Sequence, residues 1–247
     1  MLGLPDDVTA CLFDLDGVLT QTAKVHAAAW KQTFDEYLRK RSQQRGEQFV
    51  PFDDVADYDE YVDGKPRYDG VRSFLRSRGI DLPEGEEGDA AGAETIRGIG
   101  DRKNEIVLGM IRQDGVEAYE GSARYVKEAK AAGLRRAVVS SSANCRDVLR
   151  GAGIEDLFEA VVDGNTAAEQ HLKGKPAPDT FLAGAKALDV GPGQVAVFED
   201  ALAGVEAGRS GGFAFVVGVD RVGQAQALKA HGADFVVTDL AELLSQP

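Results

Sequence analysis

Several short stretches of the chain are almost unbroken runs of Val, Phe, Leu and Ala: TACLFD ending at Asp14, AVVS ending at Ser140, VAVFE ending at Glu199, FAFVVGV from Phe213 and DFVV from Asp234. A weaker sixth run, EAVVD, lies around Val161. Continuous apolar runs of this length predict strands covered on both faces, the pattern of a parallel sheet. Between them the spacing becomes helical. Residues 122–132 put Tyr125, Val126 and Ala129 on one face and stop at Gly133, and residues 176–188 open with Pro176 and end before Gly191. Strand and helix thus alternate through the carboxy-terminal two thirds. This predicts an α/β fold: a doubly wound parallel sheet with right-handed crossovers, its ligand site beyond the carboxyl ends of the strands.

The segment after the first strand breaks the alternation. Residues 25–38 set Trp30, Phe34, Tyr37 and Leu38 on one helical face, and further helices are predicted over 70–78 and 103–111. The expected organisation is a core of residues 1–22 and 110–247, with a small helical cap of residues 23–109 inserted after the first strand and lying over the ligand edge of the sheet. Two strings in the insert, RKRSQQRGEQF from Arg39 and PEGEEGDAAGAE from Pro83, are polar enough to read as solvated loops.

Composition narrows the partners. The 247 residues are 43% hydrophobic and 28% charged, ordinary globular usage. A formal net charge of −13 repels phosphate backbones and anionic lipid, so neither nucleic acid nor a membrane is an expected partner. A small anionic substrate stays possible where a few cations or a metal reverse the local field. Cys11 and Cys145 have no paired spacing, which fits a reducing compartment. MLGLPDDVTA carries no basic region followed by an apolar stretch, so a cytoplasmic protein is expected. With no coiled-coil or repeat pattern, the expected state is a monomer.

The first strand runs into DLDGVLT. In extended backbone Asp14 and Asp16 point the same way, and Gly17 lets the chain turn sharply after them. A calcium loop is excluded, because counting from Asp14 places Leu19 and Val25 where Gly and an acidic ligand are required. Other predicted strand ends add Ser140, Lys175 before the Pro176 helix, and the pair Glu199 and Asp200. Separately these are a turn, a surface lysine and acids at a helix start; together, each at a predicted strand end, they supply what a paired-carboxylate site needs. GRSGG around Ser210 does not follow a strand, which excludes a nucleophile elbow, and GKP at Lys175 lacks the hydroxyl residue of a P-loop. His171 and His231 are isolated.

In these four signatures, Asp14 with Asp16, Ser140, Lys175, and Glu199 with Asp200, the chain resembles the haloacid dehalogenase superfamily. Through DLDGVLTQTAKVHAAAWK, GKPR, DRKNE and KPAPDTF it resembles the β-phosphoglucomutase group within it. The resemblance implies a Rossmann-like core and Mg²⁺ held by Asp14, Asp16 through its carbonyl, and Asp200, with Glu199 as a ligand or supporting carboxylate. It implies Asp14 as nucleophile and Asp16 as general acid and base. It further implies that Ser140 and Lys175 contact the phosphate, Thr22 and His26 lie near Asp16 and the sugar, Lys103 lines the sugar site, and Arg67, assisted by Ser142 and Asn144, binds the phosphate that does not react. The implied reaction interconverts β-glucose 1-phosphate and glucose 6-phosphate through an aspartyl-phosphate and a sugar bisphosphate. A sugar phosphate phosphatase would use the same residues, and a phospho-signalling module resembling receiver domains would take phosphate on Asp14 and pass on a conformational change. Ala143 and Ala201 depart from the mutase pattern, which often has Lys and Ser there, and the segment from Arg39 is longer than usual.

Overall fold

The computed structural model describes residues 2–245. The chain forms two compact units, Met1–Gln21 with Val116–Pro247, and Thr22–Gly115. The strands are β1 (Ala10–Phe13), β2 (Arg135–Val139), β3 (Ala160–Val162), β4 (Val195–Glu199), β5 (Phe215–Val219) and β6 (Phe235–Val237). The α-helices, in chain order, are α1 (Ala23–Arg45), α2 (Arg67–Ser77), α3 (Ile96–Asp114), α4 (Glu120–Ala131), α5 (Cys145–Gly151), α6 (Gly164–Glu169), α7 (Asp179–Ala187), α8 (Leu202–Ser210) and α9 (Ala225–His231).

All six predicted strands are present in one parallel sheet of order β3-β2-β1-β4-β5-β6, the doubly wound α/β architecture. Successive side chains of β1 serve opposite faces. Leu12 packs with Val139, Val197, Phe181 and Ala185, which brings α7 onto one face. Phe13 stacks on Phe198, with ring centroids 4.5 Å apart, and meets Tyr125 of α4 edge-on across the other. Burial on both faces is why these strands read as continuous apolar runs. Because β1 lies between β2 and β4, with Phe13 in register with Val138 and Phe198, three strand ends emerge side by side. The order of the sheet therefore decides which residues meet.

The second unit has its own core. Trp30 and Phe34 of α1 stack at 5.0 Å, and Phe34 packs on Phe52 and on Phe74 of α2, joined by Ile96 and Ile99 of α3. The amphipathic face predicted for residues 25–38 is the buried one. Two expectations change. The string from Arg39 is not wholly a loop, since α1 runs through it to Arg45 and ends at left-handed Gly46, whose N–H donates to the Ser42 carbonyl. Arg, Lys and Gln are good helix formers, and one buried position, Ser42, is enough to anchor that face. The acidic string from Pro83 holds no regular element until α3 begins. α3 itself carries this unit to Gly115, past the boundary expected at residue 109.

Candidate active site

The strand ends assemble a buried ion cluster. Asp14 extends β1 by one residue, its N–H donating to the Phe198 carbonyl. Lys175 lies in a turn before α7; the helix opens at Asp179, not at Pro176 as expected, so the lysine is free to reach back under the sheet edge. Its Nζ donates to Asp14 Oδ1 and to Glu199 Oε1, both at 2.5 Å, and to the Val139 carbonyl at 3.2 Å. The ammonium also sits 4.8 Å from the Phe181 ring centroid. Glu199 spends its other oxygen on the Ala201 N–H at 2.8 Å. That bond uses backbone, so alanine at 201 loses nothing in making it.

Burial sets the electrostatics. Lys175 is 2% exposed and Glu199 0%. Desolvation pushes the Glu199 carboxyl up to about 7 against the pull of Lys175. It raises Asp14 as well, with neighbouring Asp16 adding to the rise. Desolvation works against the charged lysine, but the two carboxylates outweigh it and hold Lys175 above its ordinary range. One cation thus serves two buried acids.

Asp16 lies on the turn that follows β1. Gly17, at φ +82°, donates its N–H to the Thr20 carbonyl, and the Thr20 N–H and hydroxyl both donate to the Leu15 carbonyl. A Cβ on Gly17 would come within 1.7 Å of Asp200 Oδ2, so the turn presses against the second acid of the Glu-Asp pair. Gly17→Ala is therefore expected to lose about 1–3 kcal/mol from strain at positive φ and, by displacing Asp200 or the turn, to slow turnover by ~10–100-fold. A denaturation curve and a steady-state assay on one preparation check both. After β2, Ser140 Oγ accepts from the Ser142 N–H at 3.1 Å, and Ser142 Oγ from the Asn144 N–H at 3.2 Å. Ser140 keeps its own hydroxyl proton to give.

In the second unit, Thr22 precedes α1 without a side-chain capping bond. Lys103 of α3, 5% exposed, donates to His26 Nδ1 at 2.9 Å and sits 4.8 Å from the Trp30 ring centroid. An ammonium has only donors, so the imidazole accepts and is neutral. Arg67 donates to Asp101 Oδ1 at 3.2 Å and to Tyr68 Oη at 3.1 Å, and Tyr68 Oη donates to the same carboxylate oxygen at 2.8 Å.

Residues 8–212 match the haloacid dehalogenase-like hydrolase family. The chain belongs to that family. It is 58% identical over 247 residues to a protein named beta-phosphoglucomutase from Mycobacterium bovis, covering 99% of this chain and 94% of the relative. It is 34% identical over 234 residues to the Bacillus subtilis protein of that name, covering 95% and 91%. The solved beta-phosphoglucomutase of Clostridium difficile superposes with a TM-score of 0.72 at 27% identity, covering 96% of this chain and 93% of that one. The protein is thus an enzyme of the β-phosphoglucomutase-like branch, of the phosphotransferase and isomerase kind.

In this haloacid dehalogenase-like enzyme the candidate metal donors are the carboxylates at the strand ends. Among the described residues, no three His, Cys, Asp or Glu side chains stand together as a ready-made metal cage. Both oxygens of Glu199 already accept protein donors, which ties it to Lys175 and the Ala201 amide. Asp14 and Asp200 are the other carboxylates at these strand ends, and the turn carrying Asp16 presses against Asp200 at Gly17. Hard oxygen donors of this kind, fewer than a full cage, suit Mg²⁺, which keeps places for phosphate oxygens and water.

Sequence reasoning missed Arg221 and Gln224, which bond the backbone of Gly17 and Asp200. It also missed Asp101 and Tyr68 beside Arg67. None of these contacts leaves a local signature, although DRKNE does contain Asp101.

Burial, reinforced by the Lys103 charge, holds His26 well below the usual imidazole range. Below about pH 6.5 the unfolded chain gains a proton here that the fold refuses. This contribution to stability is complete above that pH and is lost as pH falls beneath it. Unfolding curves between about pH 7.5 and pH 5 should therefore slope less for His26→Asn than for the wild type.

Proposed function

We propose that the protein is a magnesium-dependent phosphomutase that interconverts β-glucose 1-phosphate and glucose 6-phosphate through an aspartyl-phosphate on Asp14 and a sugar bisphosphate. The observation that carries the chemistry is the buried Lys175 ammonium shared at 2.5 Å by Asp14 and Glu199. An anionic nucleophile meets an anionic phosphoryl group only where fixed positive charge offsets the repulsion, and Lys175 is such a charge. The choice of sugar rests on the relatives named beta-phosphoglucomutase.

From the phosphorylated enzyme, the Asp16 carboxylate takes the proton of the sugar 6-hydroxyl. That oxygen attacks the phosphorus, the bond to the Asp14 oxygen breaks, and the bisphosphate forms. After the bisphosphate reverses, Asp14 attacks the phosphorus at position 1, the bond to the sugar oxygen breaks, and Asp16 returns its proton to that oxygen. Lys175 holds Asp14 in place throughout, and Glu199 holds Lys175. Ser140 donates a hydrogen bond to the phosphoryl oxygens. Mg²⁺ would be held by Asp14, the Asp16 carbonyl and Asp200, and would supply charge neutralisation at the phosphoryl group. Residues of the second unit select the sugar: Arg67 takes the phosphate that is not reacting, with Ser142 and Asn144 in support, while Thr22, His26 and Lys103 contact the sugar. The buried free thiols of Cys11 and Cys145 suit a reducing cytoplasm.

A coupled assay for glucose 6-phosphate, started with β-glucose 1-phosphate and primed with glucose 1,6-bisphosphate, tests this reading. Primer-dependent glucose 6-phosphate is the expected product. Release of inorganic phosphate as the main product would replace the mutase with a sugar phosphate phosphatase.

A further inference from the structure

The string Asp220–Gln224 after β5 carries no motif, yet it reaches both loops on which the proposed chemistry depends. Asp220 first fixes the string itself. Its carboxylate accepts the N–H groups of Val222, Gly223, Gln224 and Ala225 at 2.7–3.2 Å. From this base Arg221, with its side chain 15% exposed, turns its guanidinium toward the turn after β1. Nε donates to the Gly17 carbonyl at 2.7 Å, one terminal nitrogen reaches the Val18 carbonyl at 3.5 Å, and the other donates to the Thr238 carbonyl at 2.7 Å beyond β6. The Tyr119 ring lies under it, 3.6 Å from Cζ to the centroid. Three residues on, Gln224 Nε2 donates to the Asp200 carbonyl at 3.1 Å.

The geometry points to Arg221 and Gln224 as positioning residues for phosphoryl transfer, Arg221 fixing the turn that aims Asp16 and Gln224 fixing the backbone of Asp200. The inference rests on the reading that Asp16 and Asp200 serve that reaction. Arg221 reaches the Gly17 and Thr238 carbonyls from different nitrogens of one planar fork, a spacing that the compact ammonium of a shorter lysine would not reproduce. Asp200 lies against the Gly17 turn that follows Asp16, and one string bonds the backbone of both loops. Supporting contacts of this kind act on rate through geometry, because small misplacements of reacting groups are costly.

The test uses Arg221→Met, Arg221→Lys and Gln224→Leu in the full chain. For Arg221→Met, kcat should fall ~10–100-fold while KM for the sugar phosphate stays within about 3-fold. Arg221→Lys should not restore kcat, whereas millimolar guanidinium, compared with equal sodium chloride, should restore part of it to the Met variant. Gln224→Leu should lower kcat in the same sense. Independently of any substrate, amide exchange at Gly17, Leu19 and Thr20 should quicken by ~10-fold or more in Arg221→Met. Unchanged exchange at those amides, or wild-type kcat in folded Arg221→Met, would overturn the inference. So would losses that merely track the unfolded fraction and ignore guanidinium. A wild-type protein that turns over no sugar phosphate would count against the functional reading alone, and exchange would still decide whether Arg221 holds the turn.

Discussion

Lys175→Met is expected to cost about 3–5 kcal/mol of stability and to abolish turnover. Met nearly matches the length of the lysine stem, and its thioether suits the contact with Phe181, so packing changes little. The loss comes from charge. Asp14 and Glu199 would be left facing each other, desolvated, with the cation they share removed. Both carboxyls are already raised by burial, and Lys175 is what pulls them back. The double variant Lys175→Met with Glu199→Gln should recover much of the stability, since the amide removes one buried charge and can still accept from the Ala201 N–H through its oxygen. Activity should not return with it, because the cation beside the nucleophile is still missing. Chemical denaturation of the single and double variants, beside a coupled assay, separates the two effects.

Asp14→Asn should show the opposite pairing of effects. Turnover is expected to fall by ~10⁴-fold or more, because an amide cannot form the acyl phosphate. Stability should hold or rise, since a buried carboxylate whose desolvation, with repulsion from Asp16, outweighs the attraction of Lys175 is replaced by a neutral group of the same shape. Glu199 continues to satisfy the lysine. The variant should therefore unfold at or above the wild-type midpoint while inactive. An unfolding midpoint well below the wild type would mean that Asp14 serves the fold more than the chemistry.

These expectations draw on parts of the molecule that differ in how visible they are in the chain. Strands buried on both faces announce themselves, so even the weak EAVVD run proved to be β3. The aromatic face of α1 was equally plain, but its last two turns were not. There the residues are long, polar and helix-forming, and polarity alone does not tell a solvated helical turn from a loop. Lys175 stood out through the string around it, yet its bond to two acids depends on β1 lying beside β4, a matter of sheet order that no local spacing encodes. Proline often opens a helix, yet α7 starts at Asp179 and Pro176 lies in the turn before it, from which the lysine reaches back. The His26 and Lys103 pair joins residues 77 positions apart. Arg221 bonds the carbonyl of Gly17 across 204 positions, and a carbonyl is the same on every residue. Contacts of that sort become visible only in three dimensions.

The role of Asp14 as nucleophile is tested most directly by where the phosphoryl group goes. Wild-type enzyme mixed with ³²P-labelled glucose 1,6-bisphosphate, quenched in acid within the first turnovers and digested, should yield one labelled peptide, the one containing Asp14, with a label that is stable in acid and released by hydroxylamine. Label on any other peptide, or transfer between substrates with no labelled enzyme at all, would contradict it.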